Sequence, residues 1–141
     1  MTPNLNRFVD AQNAGGTFDR ALAELRAGRK ATHWLWFVLP QLAGLGSSDM
    51  ARRFGIADLA EARAYAAHPV LGPRLVACCE ALLAQPNDDA VDVLGAVDAR
   101  KLRSSMTLFA RAQPDELVFA QVLDRFFGGE RDELTLELLG R

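Results

Sequence analysis

Residues 33–41 constrain the fold more than any other stretch of the chain. They hold both tryptophans and one of the two histidines, and the run 33–39 presents apolar side chains in every direction. A run of this kind is buried, and its periodicity is compatible with either a strand or a helix. No second strand-like run is present to pair with it, so we predict a buried helix that ends at Pro40.

Helical periodicity extends through the rest of the sequence. Apolar residues recur three and four positions apart, and the segments are separated by glycine, proline or capping residues. The pattern predicts helices over residues 4–11, 17–27, 48–54, 58–67, 71–84, 90–94, 98–112, 115–127 and 132–139. No alternating pattern typical of strands is present. We therefore predict an all-α protein, with residues 1–141 forming a single compact domain of about eight short helices.

The caps of these helices are readable from residue type. Ser, Thr and Asp are favoured where a helix begins, and glycine is favoured just after its end. The predicted first residues or N-caps are Thr17, Ser48, Asp58, Asp98 and Asp132, and the predicted end residues are Gly28, Gly55 and Gly128.

Charge and length narrow the class of protein. The chain has 141 residues, with 16 basic and 18 acidic side chains and a formal net charge of -2. A domain of this length buries a sizeable core and needs no disulfide or structural metal to stabilise it. The net charge disfavours a broad surface for nucleic acid or anionic lipid. The N-terminus lacks the pattern of a signal peptide and no run approaches ~18 apolar residues, which predicts a soluble cytoplasmic protein.

Metal and thiol chemistry have little support in the sequence. The two histidines have no partners at ligand spacing, so we predict neither a metal nor a cofactor. Cys78 and Cys79 are adjacent, which makes a bridge between them difficult, and they are interpreted as reduced thiols. A nucleophile formed by either cysteine with His33 or His68 remains open. Their position on an apolar helix face is, however, typical of inert thiols.

The two tryptophans suggest one wall of a cleft. On a helix Trp34 and Trp36 lie about 200° apart, so at least one of them meets a neighbouring helix, a ligand or a cleft wall. Indole stacks on planar rings, although both side chains are equally compatible with a core role. His33 and Gln41 bracket the run with polar groups. His33 is the candidate catalytic residue, because histidine exchanges protons near neutral pH.

The opposite wall is predicted on the helix after residue 98. Asp98, Lys101 and Ser105 recur on one stripe beside the core face, and Ser104 is adjacent. A lysine near two hydroxyls at such a margin favours an anion or phosphate site. The alternative is that Asp98 only caps the helix and Lys101 only covers apolar surface. Arg74 is a candidate second cation.

Six segments carry a resemblance to a known family. They are residues 5–12, 30–41, 44–46, 68–75, 98–109 and 126–129. The chain resembles a bacterial family of unknown function, numbered eighteen-ten among such families. The resemblance implies a compact, mainly helical single domain and no established activity.

The layout is also similar to the NADAR group of helical proteins, which are associated with ADP-ribose and related N-glycosides. The aromatic segment 33–41 and the turn at 68–71 carry this similarity, although no acidic residue stands beside His33. It implies a nucleotide-like or ADP-ribose-like ligand.

Three functions follow as hypotheses. The first is an enzyme or binding protein for a small phosphorylated ligand, with Trp34 or Trp36 stacking a ring and Lys101 and Arg74 binding phosphates. The second is a non-enzymatic module whose aromatic groove accepts a partner helix or peptide. The third, binding of single-stranded nucleic acid, is disfavoured by the acidic net charge. A concave pocket joining His33, Gln41, Lys101 and Ser105 would favour the first.

Overall fold

The structure is a computed structural model that describes residues 4–140. Its elements are α1 (Asn6–Asn13), a 3-10 turn (Ala14–Gly16), α2 (Thr17–Ala27), α3 (Leu35–Val38), α4 (Asp49–Phe54), α5 (Leu59–Ala67), α6 (Leu71–Ala84), α7 (Ala90–Leu94), α8 (Ala96–Ala112), α9 (Val118–Phe127) and α10 (Glu133–Leu138). Across the described residues, β pairing is limited to an isolated bridge between Leu42 and Ile56. The all-α prediction is confirmed.

Most helix ends follow from local capping chemistry. The side chains of Ser48, Asp58 and Asp132 accept hydrogen bonds from backbone N–H groups in the first turns of α4, α5 and α10. Gly28 and Gly128 end α2 and α9 in the left-handed conformation, with φ of 74° and 61°. These positions agree with the sequence, because each cap satisfies a backbone group that the helix leaves without a partner.

Three helix starts differ from those predicted. The N-caps of α2 and α8 are Gly16 and Gly95, so Thr17 and Asp98 lie inside the first turn rather than capping it. The helix expected from Asp115 begins at Val118. Each of the ten helical segments predicted from the sequence corresponds to one of α1 to α10 within residues 4–140, so the stated total of about eight helices is too low.

The tryptophan run forms only one helical turn. α3 covers Leu35–Val38, and Trp34 at its N-cap has the non-helical angles φ -148° and ψ 0°. The preceding residues are held away from helical geometry because the backbone N–H groups of Ala31 and Thr32 donate to the Glu24 carboxylate. Pro40 prevents extension in the other direction. The predicted helix over residues 33–39 is therefore too long.

The core is arranged around α8. This helix packs against α5, α7, α9 and α10, and its residues Leu102, Met106 and Phe109 are fully buried. Phe109 lies 5.3 Å from Tyr65 and 5.8 Å from Phe119, measured between ring centroids. Because α8 is packed on several sides, its polar residues emerge only along its margins, where clefts form. Among the described helices, none is long and apolar enough to cross a membrane.

A largely buried polar network joins α1, α3, α5 and α6. The Gln12 amide donates to the carbonyl of Phe37 at 2.7 Å and to the Tyr65 hydroxyl at 3.0 Å. Arg74 donates to the Gln12 side-chain oxygen at 3.1 Å and to Asn13 at 2.9 Å. Satisfied buried networks of this kind fix the relative positions of helices.

Candidate functional site

The tryptophan segment and α8 are in direct contact. The Lys101 ammonium lies 5.1 Å from the centroid of the Trp36 ring. The Lys30 ammonium lies 5.2 Å from the Trp34 ring and 3.0 Å from Asp98 Oδ2. The two elements proposed from the sequence as facing walls therefore meet directly through the Lys101–Trp36 contact, and indirectly through Lys30, which lies over Trp34 and pairs with Asp98.

A concave space of about 280 Å³ opens beside this contact. It lies between the loop after α3, the first half of α8 and the start of α10. We call it the α8 cleft, and it is lined by Gln41, Leu45, Gly46, Val97, Arg100, Lys101, Ser104, Asp132 and Leu134. Its polar groups come from both predicted walls, and its rim is apolar.

Positive charge predominates in the α8 cleft. The Asp98 carboxylate beside the cleft pairs with two lysines: its oxygens lie 3.0 Å from the Lys30 ammonium and 3.9 Å from the Lys101 ammonium. Lys101 therefore has only a weak ion pair. Arg100 has no ion pair within residues 4–140. The one carboxylate lining the cleft, Asp132, accepts hydrogen bonds from the backbone and hydroxyl of the α10 first turn. Two cations are thus available to an anion.

A smaller cavity lies next to the cleft. It shares Gln41 and Lys101 with the cleft and is also lined by Trp36. The indole N–H of Trp36 is buried and has no hydrogen-bond partner in the described part of the chain. Buried polar groups without partners are uncommon, and they mark places where a ligand or a water completes the bonding.

Backbone pairing holds Gln41 at this position. The N–H of Ile56 donates to the Gln41 carbonyl at 2.9 Å, and the N–H of Ala43 donates to the Ile56 carbonyl at 2.8 Å. A Cβ on Gly55 would lie 2.8 Å from the Ala43 Cα, so glycine allows the two segments of this loop to approach. The pairing fixes the backbone of Gln41 and leaves its side chain at the cleft.

Glu24 anchors the segment that leads into the tryptophan run. Its carboxylate is almost fully buried and accepts hydrogen bonds from the Ala31 N–H, the Thr32 N–H and hydroxyl, and the indole N–H of Trp34 at 2.9 Å. Burial is the largest influence and raises the pKa of Glu24. The four hydrogen bonds outweigh it and lower the pKa from 4.5 to about 2. Trp34 is therefore a core residue and does not line the cleft.

Stability should depend on the ionisation of Glu24. Because its folded pKa lies below the unfolded value, the stabilisation is complete above pH 4.5 and is lost as the pH falls towards 2. We expect wild type to lose about 2 kcal/mol more than Glu24→Gln between pH 6 and pH 3. Urea denaturation of both proteins across that range measures the difference. If the free energies of unfolding of the two proteins fell in parallel with pH, Glu24 would not be the source of the loss.

Three other predicted site residues lie outside the α8 cleft. His33 is exposed and makes no hydrogen bond with a residue in the range 4–140. Ser105 is fully buried, and its hydroxyl has no partner in that range. Arg74 lies over the Phe18 ring at 4.8 Å and uses its guanidinium to join α6 to α1. The structure therefore brings together Trp36, Gln41, Lys101 and Ser104, with Asp98 at the margin.

Two charged residues that line the cleft are not predicted as site residues from the sequence. Arg100 precedes Lys101, but its place on the helix alone does not indicate that it faces a cleft. Asp132 was predicted only as a helix cap, which it is. The sequence gives little indication that these two residues lie at one site, because α10, which completes the cleft, is distant from Arg100 in the sequence.

A catalytic thiol is not assembled around the two cysteines. Burial raises the pKa of Cys78 to about 12 and raises that of Cys79 well above its usual range. The Cys79 sulfur contacts the sulfur of Met106 at 3.6 Å. In the described part of the chain, no group of three or more His, Cys, Asp or Glu side chains is arranged to hold a metal ion.

Comparison with known proteins places the chain in a family. Residues 2–139 match the family model described as "Protein of unknown function (DUF1810)". The chain belongs to this family. Its fold is similar to the crystal structure of the conserved hypothetical protein Rv1873 from Mycobacterium tuberculosis, with a TM-score of 0.93 and 46% sequence identity over 98% of this chain and 97% of that one. No protein with a curated description matches.

Membership of this family supports the fold and carries no residue roles. Neither the family description nor the similar crystal structure names an activity or a ligand. The α8 cleft is therefore the feature of this DUF1810 member from which a function can be inferred.

Proposed function

We propose that the protein binds a small phosphorylated molecule of the nucleotide type in the α8 cleft. The observation that carries this proposal is the pair of adjacent cations, Arg100 and Lys101, in a concave space, where Lys101 has only a 3.9 Å ion pair with Asp98. Arginine binds phosphate oxygens through its planar fork, and lysine supplies a mobile point charge. Gln41 adds a neutral hydrogen-bonding side chain at the same cleft, whereas the Ser104 hydroxyl donates to the Arg100 carbonyl at 3.1 Å.

The contact between Lys101 and Trp36 supports a ligand with a ring. The Lys101 ammonium lies over the indole at 5.1 Å and so covers a surface suited to stacking. This cation–π contact is worth only about 1 kcal/mol at a partly exposed site. A phosphate can therefore draw Lys101 away from Trp36 and uncover the ring for a planar group.

The proposal concerns binding rather than catalysis. His33, the candidate catalytic acid or base, does not line the α8 cleft. The alternative of an aromatic groove for a partner helix has less support, because Trp34 is fully buried and contributes no aromatic surface to such a groove.

Neutralising either cation should weaken the binding of phosphate compounds. We expect Arg100→Gln and Lys101→Gln each to reduce the affinity for AMP and for inorganic pyrophosphate about tenfold, which corresponds to the loss of one charge-assisted hydrogen bond. Isothermal titration calorimetry at fixed salt measures both ligands.

Arg111→Gln is the matched control. Arg111 is exposed on the same helix and lines neither the α8 cleft nor the smaller cavity beside it, so its replacement should leave affinity within about twofold. An equal loss in all three variants would indicate nonspecific attraction by net charge. Absence of binding to wild type by any phosphate compound would refute the proposal.

A further inference from the structure

A second cavity lies on the other side of Arg100. It occupies about 490 Å³ between α7, α8 and the end of α9, and its lining includes Asp88, Val91, Arg100, Arg103 and Phe127. Arg100 thus lines both this cavity, which we call the α7 cavity, and the α8 cleft. A single guanidinium stands where the two spaces adjoin.

The spacing of residues along α8 explains this arrangement. Arg100 and Arg103 are three residues apart and share one side of the helix, while Lys101 and Ser104 share the neighbouring side. The first pair lines the α7 cavity, and the second pair lines the α8 cleft. α8 therefore forms a basic ridge between the two spaces. Arg103 pairs with Glu130 at 3.7 Å, and an exposed pair of this kind holds the guanidinium only weakly.

The α7 cavity contains the groups that a nucleoside phosphate requires. Phe126 and Phe127 are partly buried rings at its wall. Arg125 lies over Phe126 at 5.6 Å, which leaves Phe127 as the ring available for stacking a base. Carboxylates at such sites accept hydrogen bonds from ribose hydroxyls. Asp88 lines the cavity and suits this role, whereas Asp89 is occupied as the cap of α7.

We infer that the ligand is a nucleoside diphosphate derivative with two arms. Its diphosphate lies at Arg100, its nucleoside occupies the α7 cavity, and its second arm, a sugar or a second nucleoside, occupies the α8 cleft. This inference rests on the proposed function and extends it, because the α7 cavity and the α8 cleft share Arg100 as a lining residue.

Three matched valine variants test the inference. Val91 lines only the α7 cavity, Val97 lines only the α8 cleft, and Val70 lies outside both. Their exposures are 55%, 55% and 36%, and each stands at or near a helix start, where glutamate is tolerated. Val91→Glu, Val97→Glu and Val70→Glu therefore add the same charge at three places without disturbing the core.

The probes are ADP-ribose, which has two arms, and inorganic pyrophosphate, which has none. Calorimetry gives the affinity ratio of the two probes for each variant, and the ratio for Val70→Glu measures the general effect of an added charge on probes of unequal charge. We expect Val91→Glu and Val97→Glu each to lower this ratio at least tenfold, and Val70→Glu to change it less than twofold. If Val91→Glu fails to fold, Asp88→Asn replaces it, with an expected reduction of at least threefold.

The outcomes separate this inference from the proposed function. A reduction with Val97→Glu alone, or binding of pyrophosphate without any added affinity for ADP-ribose, would overturn the two-armed ligand and leave the α8 cleft as the anion site. A reduction with Val91→Glu alone would overturn both, because the ligand would lie entirely in the α7 cavity. If wild type bound neither ADP-ribose nor pyrophosphate, both the two-armed ligand and the proposed function would be overturned.

Discussion

Replacement of Glu24 with alanine is expected to lower the free energy of unfolding by at least about 4 kcal/mol. The substitution removes a buried carboxylate that accepts four hydrogen bonds, from two backbone N–H groups, the Thr32 hydroxyl and the Trp34 indole. Hydrogen bonds to a charged group contribute about 1.5–3 kcal/mol each, and buried donors left without a partner add a desolvation cost. The effects are not additive, which keeps the total below the sum.

Urea denaturation at pH 7 measures this loss. Glu80→Ala is the control, because Glu80 is exposed on α6 and its replacement should change stability by about 0.5 kcal/mol or less. Trp34→Phe removes the indole donor and preserves an aromatic ring. Combined with Glu24→Ala it forms a double-mutant cycle that we expect to give a coupling energy of about 1–2 kcal/mol. A loss below about 1 kcal/mol for Glu24→Ala would contradict the anchoring role.

The same carboxylate connects stability with the candidate site. Glu24 fixes residues 31–34, and this segment leads directly into Trp36 and the loop that carries Gln41. Lys30, just before the segment, pairs with Asp98 at 3.0 Å. That pair occupies Asp98 and leaves Lys101 weakly held. The segment that this buried carboxylate anchors therefore lies next in sequence to the lysine that competes with Lys101 for Asp98.

The helices could be predicted from sequence because their ends depend on local chemistry. Ser48, Asp58 and Asp132 bond to N–H groups within three residues, so residue type and spacing suffice to locate them. The tryptophan run could not be predicted in this way. Its helix is cut to one turn by Glu24, which lies on a different helix and acts through tertiary hydrogen bonds.

The candidate site could be located from the sequence only on α8, where helical periodicity shows which residues border the buried face. Lys101 and Ser104 lie on the margin of the buried stripe of α8, and both line the cleft. Arg74 and His33 have suitable chemistry, and His33 adjoins the tryptophan run in sequence, but neither lies on the stripe of α8. Arg74 is used in packing α6 against α1, and His33 lies outside the cleft. Periodicity specifies the side of a helix that faces outward, but not the element that meets it there.

The corner between α5 and α6 provides the second large effect. Gly72, in the first turn of α6, lies against the backbone of α5. A Cβ at this position would overlap the carbonyl oxygen of Ala66 and lie 3.1 Å from its carbonyl carbon. Neither atom can rotate away, because both belong to the backbone of a helix that packs against α6 and α8. We expect Gly72→Ala to lower the free energy of unfolding by about 3 kcal/mol through this overlap.

The sign of the change distinguishes packing from helix propensity. Alanine is preferred to glycine inside a helix by about 1 kcal/mol, so propensity alone predicts that Gly72→Ala stabilises the protein. Gly128→Ala is the control for backbone conformation, because Gly128 has φ 61° and a methyl group at this position would meet no other atom within 4 Å. That variant should cost only about 1 kcal/mol. Urea midpoints for both variants decide the question: a gain in stability for Gly72→Ala would mean that α5 can move away from α6, and a loss well beyond that of Gly128→Ala would establish the close approach of the two helices.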